Sequence, residues 1–215
     1  MSEKLPEARR YYANIVGKYG APVQALLKKA AALPVKTVCP LHGPVWRENI
    51  AWFVDKYDKW SSYTPEENAV AIFYGSVYGH TQEAAEILAS CLADLEVKNI
   101  KVYDVSAQHS SYLVAEAFRC SHLVFASSTY NAGIFENMDI LIDDLIKHAL
   151  QNRKVALIEN GSWASTAGML MKEKLSKCKN TELIGDVVTI KSALKENQLA
   201  DIKALAQKIA SSLDG

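Results

Sequence analysis

The feature that most restricts the fold is an uncharged run, Ala69-Val70-Ala71-Ile72-Phe73-Tyr74, which breaks into Gly75-Ser76-Val77-Tyr78-Gly79-His80-Thr81. A run with no polar alternation suits a strand covered on both faces, as in a parallel sheet packed between helices. The chain then turns amphipathic through Thr81, Ala84, Ile87, Leu88, Cys91 and Leu95, which is helical spacing. The first unit is therefore a strand, a loop bearing glycine and hydroxyl groups, and a helix.

The unit repeats. Apolar runs at 100–105, 122–127, 155–159 and 187–190 alternate with helical patterns near 82–95, 110–119, 135–150, 167–177 and 195–212. Right-handed βαβ crossovers then give an α/β fold, a doubly wound five-stranded parallel sheet in the order 2-1-3-4-5. In such a sheet a ligand sits beyond the carboxyl ends of the strands, at the switch point between the first and third. The loops after strands 1, 3 and 4 are the candidate site.

The first loop suits an anion. N–H groups at a helix start lack intrahelical acceptors and lie at the positive end of the helix dipole, so they favour a phosphate, and Ser76 and Thr81 add hydroxyls. Two familiar phosphate loops are excluded: no Lys follows Gly79, and the three-glycine dinucleotide spacing is missing. With no Lys or Arg between Tyr74 and Thr81, dipoles and hydroxyls alone meet the charge. A phosphate monoester is the expected guest, with an ordinary βα turn as the plain alternative.

The second loop, Ser127-Ser128-Thr129-Tyr130-Asn131-Ala132-Gly133-Ile134-Phe135, is long and aromatic for a connector. Tyr130 can stack on a flat heterocycle, Asn131 and the backbone can bond its edge, and Gly133 permits a backbone flip closed to other residues. The third, Asn160-Gly161-Ser162-Trp163-Ala164-Ser165-Thr166-Ala167-Gly168, offers small residues, N–H groups and one indole. Trp163 either walls the second side of the ring or is a core or dimer-contact indole. A phosphate loop and two ring-holding loops at one switch point suggest FMN.

The 215 residues allow one domain plus an attachment, or two small domains, and 49% hydrophobic content is enough for a sizeable core. Lys+Arg and Asp+Glu balance at 24 each, which argues against nucleic acid or an anionic membrane as partner. No apolar run reaches membrane-spanning length and Met1-Ser2-Glu3-Lys4 does not open a signal peptide, so a cytoplasmic location is expected. Cys39, Cys91, Cys120 and Cys178 show no CxxC or zinc spacing and read as reduced, mostly buried residues.

Residues 1–34 read as two helices, through Ala8, Tyr11, Tyr12, Ile15 and Val16 and then Val23, Leu26, Leu27 and Ala30, punctuated by Gly20 and Pro22. Val35-Lys36-Thr37-Val38-Cys39 looks like a short strand. After the turn Pro40-Leu41-His42-Gly43-Pro44, a helix aligns Trp46, Ile50, Phe53, Tyr57 and Trp60 for packing. Helix, helix and strand cannot close a core, so 1–62 is expected to be an extension on 63–215 whose apolar surface is covered by a second copy or a partner.

Three stretches carry a resemblance. Cys39-Pro40-Leu41-His42-Gly43-Pro44-Val45-Trp46-Arg47, Tyr74-Gly75-Ser76-Val77-Tyr78-Gly79-His80-Thr81 and Thr129-Tyr130-Asn131, in this order, make the chain similar to the C-terminal part of flavodiiron proteins (A-type flavoproteins) over its whole length. The resemblance implies a flavodoxin-like fold for 63–215, and for 1–62 a remnant of a metallo-β-lactamase-like domain with a linker helix. It implies FMN held by Ser76, Val77, Tyr78, Gly79, His80 and Thr81 at the phosphate, and by Ser128, Thr129, Tyr130, Asn131, Ala132, Gly133, Gly161, Ser162, Trp163 and Ala164 around the ring.

The family's activity implies electron transfer: FMN takes electrons from a rubredoxin-like or other redox protein and passes them to a non-haem di-iron site that reduces dioxygen or nitric oxide. His42 falls at the position of one iron ligand. The family's upstream His-x-Glu-x-Asp-His cluster is not formed by His42, His80, His109, His122 or His148, and one imidazole does not hold two irons, so that position is expected empty. The chain is then either a fragment or a shortened gene product that kept the flavin half, and a homo-oligomer is expected. His80 stands where Asn is usual and either donates to the phosphate or caps the helix. Glu136 stands where Pro is common, and Ala164-Ser165-Thr166 is less glycine-rich than the family's loop. The rival readings are a flavin-dependent NAD(P)H reductase resembling the quinone reductases, and a flavodoxin-fold scaffold without cofactor.

Overall fold

The computed structural model describes residues 4–213. Met1, Ser2 and Glu3, part of the start read as unlike a signal peptide, lie outside the described residues, as do Asp214 and Gly215. The N-terminal part is helical. α1 (Leu5–Tyr11) runs into a π turn (Tyr12–Val16) and a 3-10 turn (Gly17–Tyr19), and these lead directly into α2 (Gly20–Ala30). The boundary expected at Gly20 thus falls inside one helical run. Gly20 marks a close approach instead: a Cβ there would lie 2.3 Å from the Ser61 carbonyl oxygen at the end of α3 (Ile50–Ser61).

The strand expected over 35–39 shrinks to a single bridge between Val38 and Trp46, the one cross-strand pairing this stretch makes among the described residues. Trp46 itself stands ahead of the helix expected to carry it. The helix opens only after Asn49, whose φ of 53° turns the chain. The aromatic stripe still packs as expected, with Trp46 stacked on Phe53 at 4.0 Å between ring centres. Phe53–Tyr57 and Tyr57–Trp60 follow at 5.1 Å.

The uncharged run forms β1 (Glu67–Gly75), the strand between β2 (Ile100–Asp104) and β3 (Cys120–Tyr130). A short β4 (Gly133–Ile134) folds back on β3, and β5 (Lys154–Asn160) pairs with β3 in parallel. A short β6 (Glu182–Leu183) was not expected, and β7 (Val188–Ile190) is the expected fifth strand; both pair with β5, with Gly185 at φ +69° between them. The main order is β2-β1-β3-β5-β6, the expected 2-1-3-4-5 winding carried by seven strands instead of five.

Strand side chains alternate between two helical layers. Val70, Ile72, Val124 and Ile158 pack against Leu88 of α4 (His80–Asp94) and Ile202, Leu205 and Ile209 of α8 (Glu196–Leu213). Ala71, Phe73, Leu123 and Phe125 face α5 (Ser110–Arg119), α6 (Glu136–Lys147) and α7 (Ala167–Leu175) through Phe118, Met138, Leu141 and Met171. Leu5, Tyr12, Ala13 and Trp60 belong to this second layer, and the Arg9 guanidinium reaches the buried Glu66 carboxylate at 2.6 Å. In the strand register Tyr74 lies level with Ala126, and Ser128 with Asn160. That alignment brings the three informative loops to one edge.

Candidate functional site

At the end of β1 the chain narrows. A Cβ on Gly75 would lie 2.6 Å from the Phe135 ring, so the first loop seats the residue that opens α6. Ser76 Oγ accepts the Gly79 N–H at 3.0 Å, and Gly79, at φ +91°, turns the chain into α4. The first helical bond runs from the Glu83 N–H to the Gly79 carbonyl. The N–H groups of His80, Thr81 and Gln82 therefore lie ahead of any intrahelical acceptor. Thr81 is buried, and its hydroxyl shares a 2.8 Å hydrogen bond with that of Ser128 on β3. The His80 imidazole lies 3.9 Å from the Glu83 carboxylate.

The second loop is a hairpin. β3 runs to Tyr130, three residues beyond the expected end, because Thr129 and Tyr130 pair with Ile134 and Gly133. Asn131 and Ala132, the two residues between, both adopt left-handed conformations at φ 49° and 57°, as a two-residue hairpin requires. The left-handed backbone thus falls at Ala132, a residue for which it is strained, and Gly133 does not share it. Thr129 Oγ1 accepts the N–H groups of Thr166 and Ala167 at 3.1 and 3.2 Å, and the Thr166 hydroxyl donates to the Ala132 carbonyl at 3.0 Å. The second and third loops are thereby tied together.

In the third loop a Cβ on Gly161 would lie 2.8 Å from Ser165 Oγ, so the loop folds tightly. Trp163 is 93% exposed, which removes the core-indole alternative. Asn160 and Ser192 bond each other reciprocally through side chain and backbone.

All three loops line one cavity of about 400 Å³. Of the residues expected to hold the cofactor, only Gly79 and Gly133 are not on its wall. Asn160 and Ser192 line it and were not anticipated. The available signal was positional: Asn160 ends a strand and Ser192 lies two residues past one at the carboxyl edge, where every such loop is a candidate. The lining contains no Lys, Arg, Asp or Glu.

Elsewhere, His42 lies in an exposed turn with its ring 5.2 Å from that of Tyr11. Among the described residues no group of three or more His, Cys, Asp or Glu is placed to hold a metal. Burial pushes the Cys120 thiol up to about 12 and the Cys178 thiol to about 11, so neither is a thiolate at neutral pH. Cys39 is exposed, unlike the mostly buried set expected.

Fold and site together define a doubly wound α/β protein with a ligand cavity at the switch point of its sheet. Residues 72–209 match the family model described as flavodoxin, and the chain belongs to that family. It is 27% identical over 165 residues to the anaerobic nitric oxide reductase flavorubredoxin of Vibrio vulnificus, an overlap of 75% of this chain and 33% of that protein. It is also similar to the solved rubredoxin oxygen:oxidoreductase of Desulfovibrio gigas, with a TM-score of 0.90 and 25% identity over 100% of this chain and 54% of that one. The flavodiiron protein of Giardia intestinalis shares the fold with a TM-score of 0.88 at 18% identity, over 99% and 54% of the two chains. The chain is a flavodoxin-like module similar to those of flavodiiron proteins, and it spans about a third of the curated relative's length.

Proposed function

We propose that this chain binds FMN in the carboxyl-edge cavity and works as an electron-transfer flavoprotein module. The observation that carries the reading is convergence: open N–H groups at the start of α4, the half-exposed Tyr130 ring and the 160–164 loop meet around one uncharged cavity. Its volume, about 400 Å³, is in the range of small-molecule sites.

Ser76, Val77, Tyr78, Gly79, His80 and Thr81 hold the phosphate with backbone N–H groups, hydroxyls and an imidazole. Ser128, Thr129, Tyr130, Asn131, Ala132 and Gly133 flank one side of the ring, and Gly161, Ser162, Trp163 and Ala164 the other, with Asn160 and Ser192 completing the wall. FMN supplies the redox chemistry, while these residues orient it and restrict water. A wall without Lys or Arg beside a phosphate disfavours added negative charge on the ring, which suits a low-potential donor.

The names of the relatives support a rubredoxin-like or other redox protein as electron donor. A homo-oligomer is part of the proposal, because Ile15, Leu26, Leu33 and Leu41 expose apolar surface on the extension. So are a division into the extension 1–62 and the flavin-binding unit 63–215, an iron-free His42 and a cytoplasmic location. Among the described residues no helix is long and apolar enough to cross a membrane.

The test is reconstitution. Purified protein incubated with FMN and then desalted is expected to stay yellow, and its flavin to resist bleaching by NAD(P)H until a redox protein is added. Colourless protein after desalting overturns the proposal.

A further inference from the structure

Thr166 stands at the N-cap of α7 and does not cap it. A threonine in that position ordinarily turns its hydroxyl oxygen to a free N–H of the first helical turn. Other groups have taken those donors: Thr129 Oγ1 accepts from Thr166 and Ala167, and the Glu159 carboxylate accepts from Gly168 at 2.7 Å. The Thr166 hydroxyl is left to cross between the loops and donate to the Ala132 carbonyl at 3.0 Å.

Ala132 is where such a restraint is needed. It lines the cavity at φ 57°, in the turn position that a two-residue hairpin ordinarily gives to glycine. A Cβ in this region crowds its own backbone, so the conformation persists only where the surroundings impose it. The hairpin itself supplies two paired positions, Thr129 with Ile134 and Tyr130 with Gly133. The same arrangement recurs elsewhere on the wall, where Ser192, at φ 64°, is held through its N–H and its carbonyl by the Asn160 side chain. Ala132 and Ser192 are thus both left-handed without being glycine, and a side chain from a neighbouring loop fixes each of them.

We propose that Thr166 is a positioning residue for the flavin: by holding Ala132 left-handed it keeps the second and third loops at the separation the ring enters. The inference rests on the FMN reading above. Thr166 is not on the cavity wall, whereas Thr129, Tyr130, Asn131 and Ala132 are, so it acts through the hairpin and not by touching the ring. A slot already shaped when the cofactor arrives lowers the cost of ordering its walls on binding. Loss of the one hydrogen bond is expected to weaken FMN binding about fivefold.

The test compares wild type, Thr166→Val, Thr166→Ser, Ala132→Gly and the Thr166→Val/Ala132→Gly pair. FMN affinity is read from quenching of flavin fluorescence, and amide hydrogen exchange across 129–134 is read in each protein without FMN. Thr166→Val is expected to lose the fivefold in affinity and to exchange faster in the hairpin, while Thr166→Ser, which keeps the hydroxyl, stays close to wild type in both. The decisive comparison is rescue. Glycine adopts the left-handed turn without steric cost, so in the Ala132→Gly background Thr166→Val should cost no more than about twofold. A threonine that only stabilised the fold, or that touched the flavin, would cost the same in both backgrounds. An equal loss in both, or a Thr166→Val protein that binds FMN as wild type does, overturns the inference while the FMN reading stands. Should Thr166→Val alone not fold, the pair decides: affinity within about twofold of Ala132→Gly supports the inference and a larger loss overturns it. Wild-type protein that takes up no FMN overturns the reading beneath, and the inference with it.

Discussion

Thr81 is 1% exposed, and its bond to Ser128 aims the hydroxyl before any ligand arrives. Thr81→Val keeps the shape of the side chain and is expected to weaken FMN binding by about 1–3 kcal/mol, read from flavin fluorescence quenching; unchanged affinity would move the phosphate elsewhere. His122, at the opposite edge of the sheet, bears on stability. It is buried between the Ser121 and Ser212 hydroxyls, at 2.7 and 2.8 Å from its two ring nitrogens. Burial, with the nearby Lys154 ammonium, pushes its pKa down to about 4. The unfolded chain takes up this proton near pH 6.5 and the folded chain only near 4, so the contribution is complete above about 6.5 and is lost as pH falls through that window. The gap corresponds to about 3 kcal/mol. Urea midpoints are expected to drop between pH 7 and 4.5 and to drop less in His122→Gln. The same decline in both proteins would refute the assignment.

Elements buried on both faces were the legible ones. β1, β3 and β5 announce themselves as continuous apolar runs because each lies between two helical layers, and the winding follows from their alternation with helices. Elements whose form depends on a distant partner were not legible: the 35–39 strand found only Trp46, and Gly20 serves the approach of α3 and ends no helix. At the site the loops were readable from residue type, whereas the strain at Ala132 is fixed by a hairpin pairing that no local sequence signal records. The attachment of α1 is of this partner-dependent kind. The Arg9 and Glu66 side chains are 4% and 1% exposed, and Trp60 Nε1 donates to the same carboxylate at 2.9 Å. Burial alone would push the Glu66 carboxyl up, but Arg9, helped by Trp60 and Lys56, holds it below the ordinary carboxylate value. Among the described residues Arg9→Met leaves that charge with only Lys56, 3.6 Å away, as a cationic partner, and it is expected to cost about 3 kcal/mol in urea unfolding. Arg9→Met with Glu66→Gln should recover part of the loss; a single variant as stable as the wild type would show that the pair does not anchor α1.

At the scale of the whole molecule, the extension and the sheet share a core. Tyr12 and Trp60 are fully buried in the cluster that holds Phe118 and Phe125, and the Tyr63 hydroxyl donates to the Gly17 carbonyl at 2.8 Å. A helical segment attached this way has no apolar interior of its own to retain once the sheet opens. The chain should therefore unfold as one cooperative unit. Tryptophan fluorescence tests this directly, since Trp46 and Trp60 are buried in the extension while Trp163 is already exposed in the folded chain. The fluorescence change on unfolding thus reports chiefly on the extension, whereas far-UV circular dichroism reports on every helix and strand. Coincident urea midpoints from the two signals are expected. A fluorescence transition that precedes the dichroism change would mean that residues 4–62 detach while the sheet persists, and that the buried Arg9–Glu66 pair does not couple the two parts.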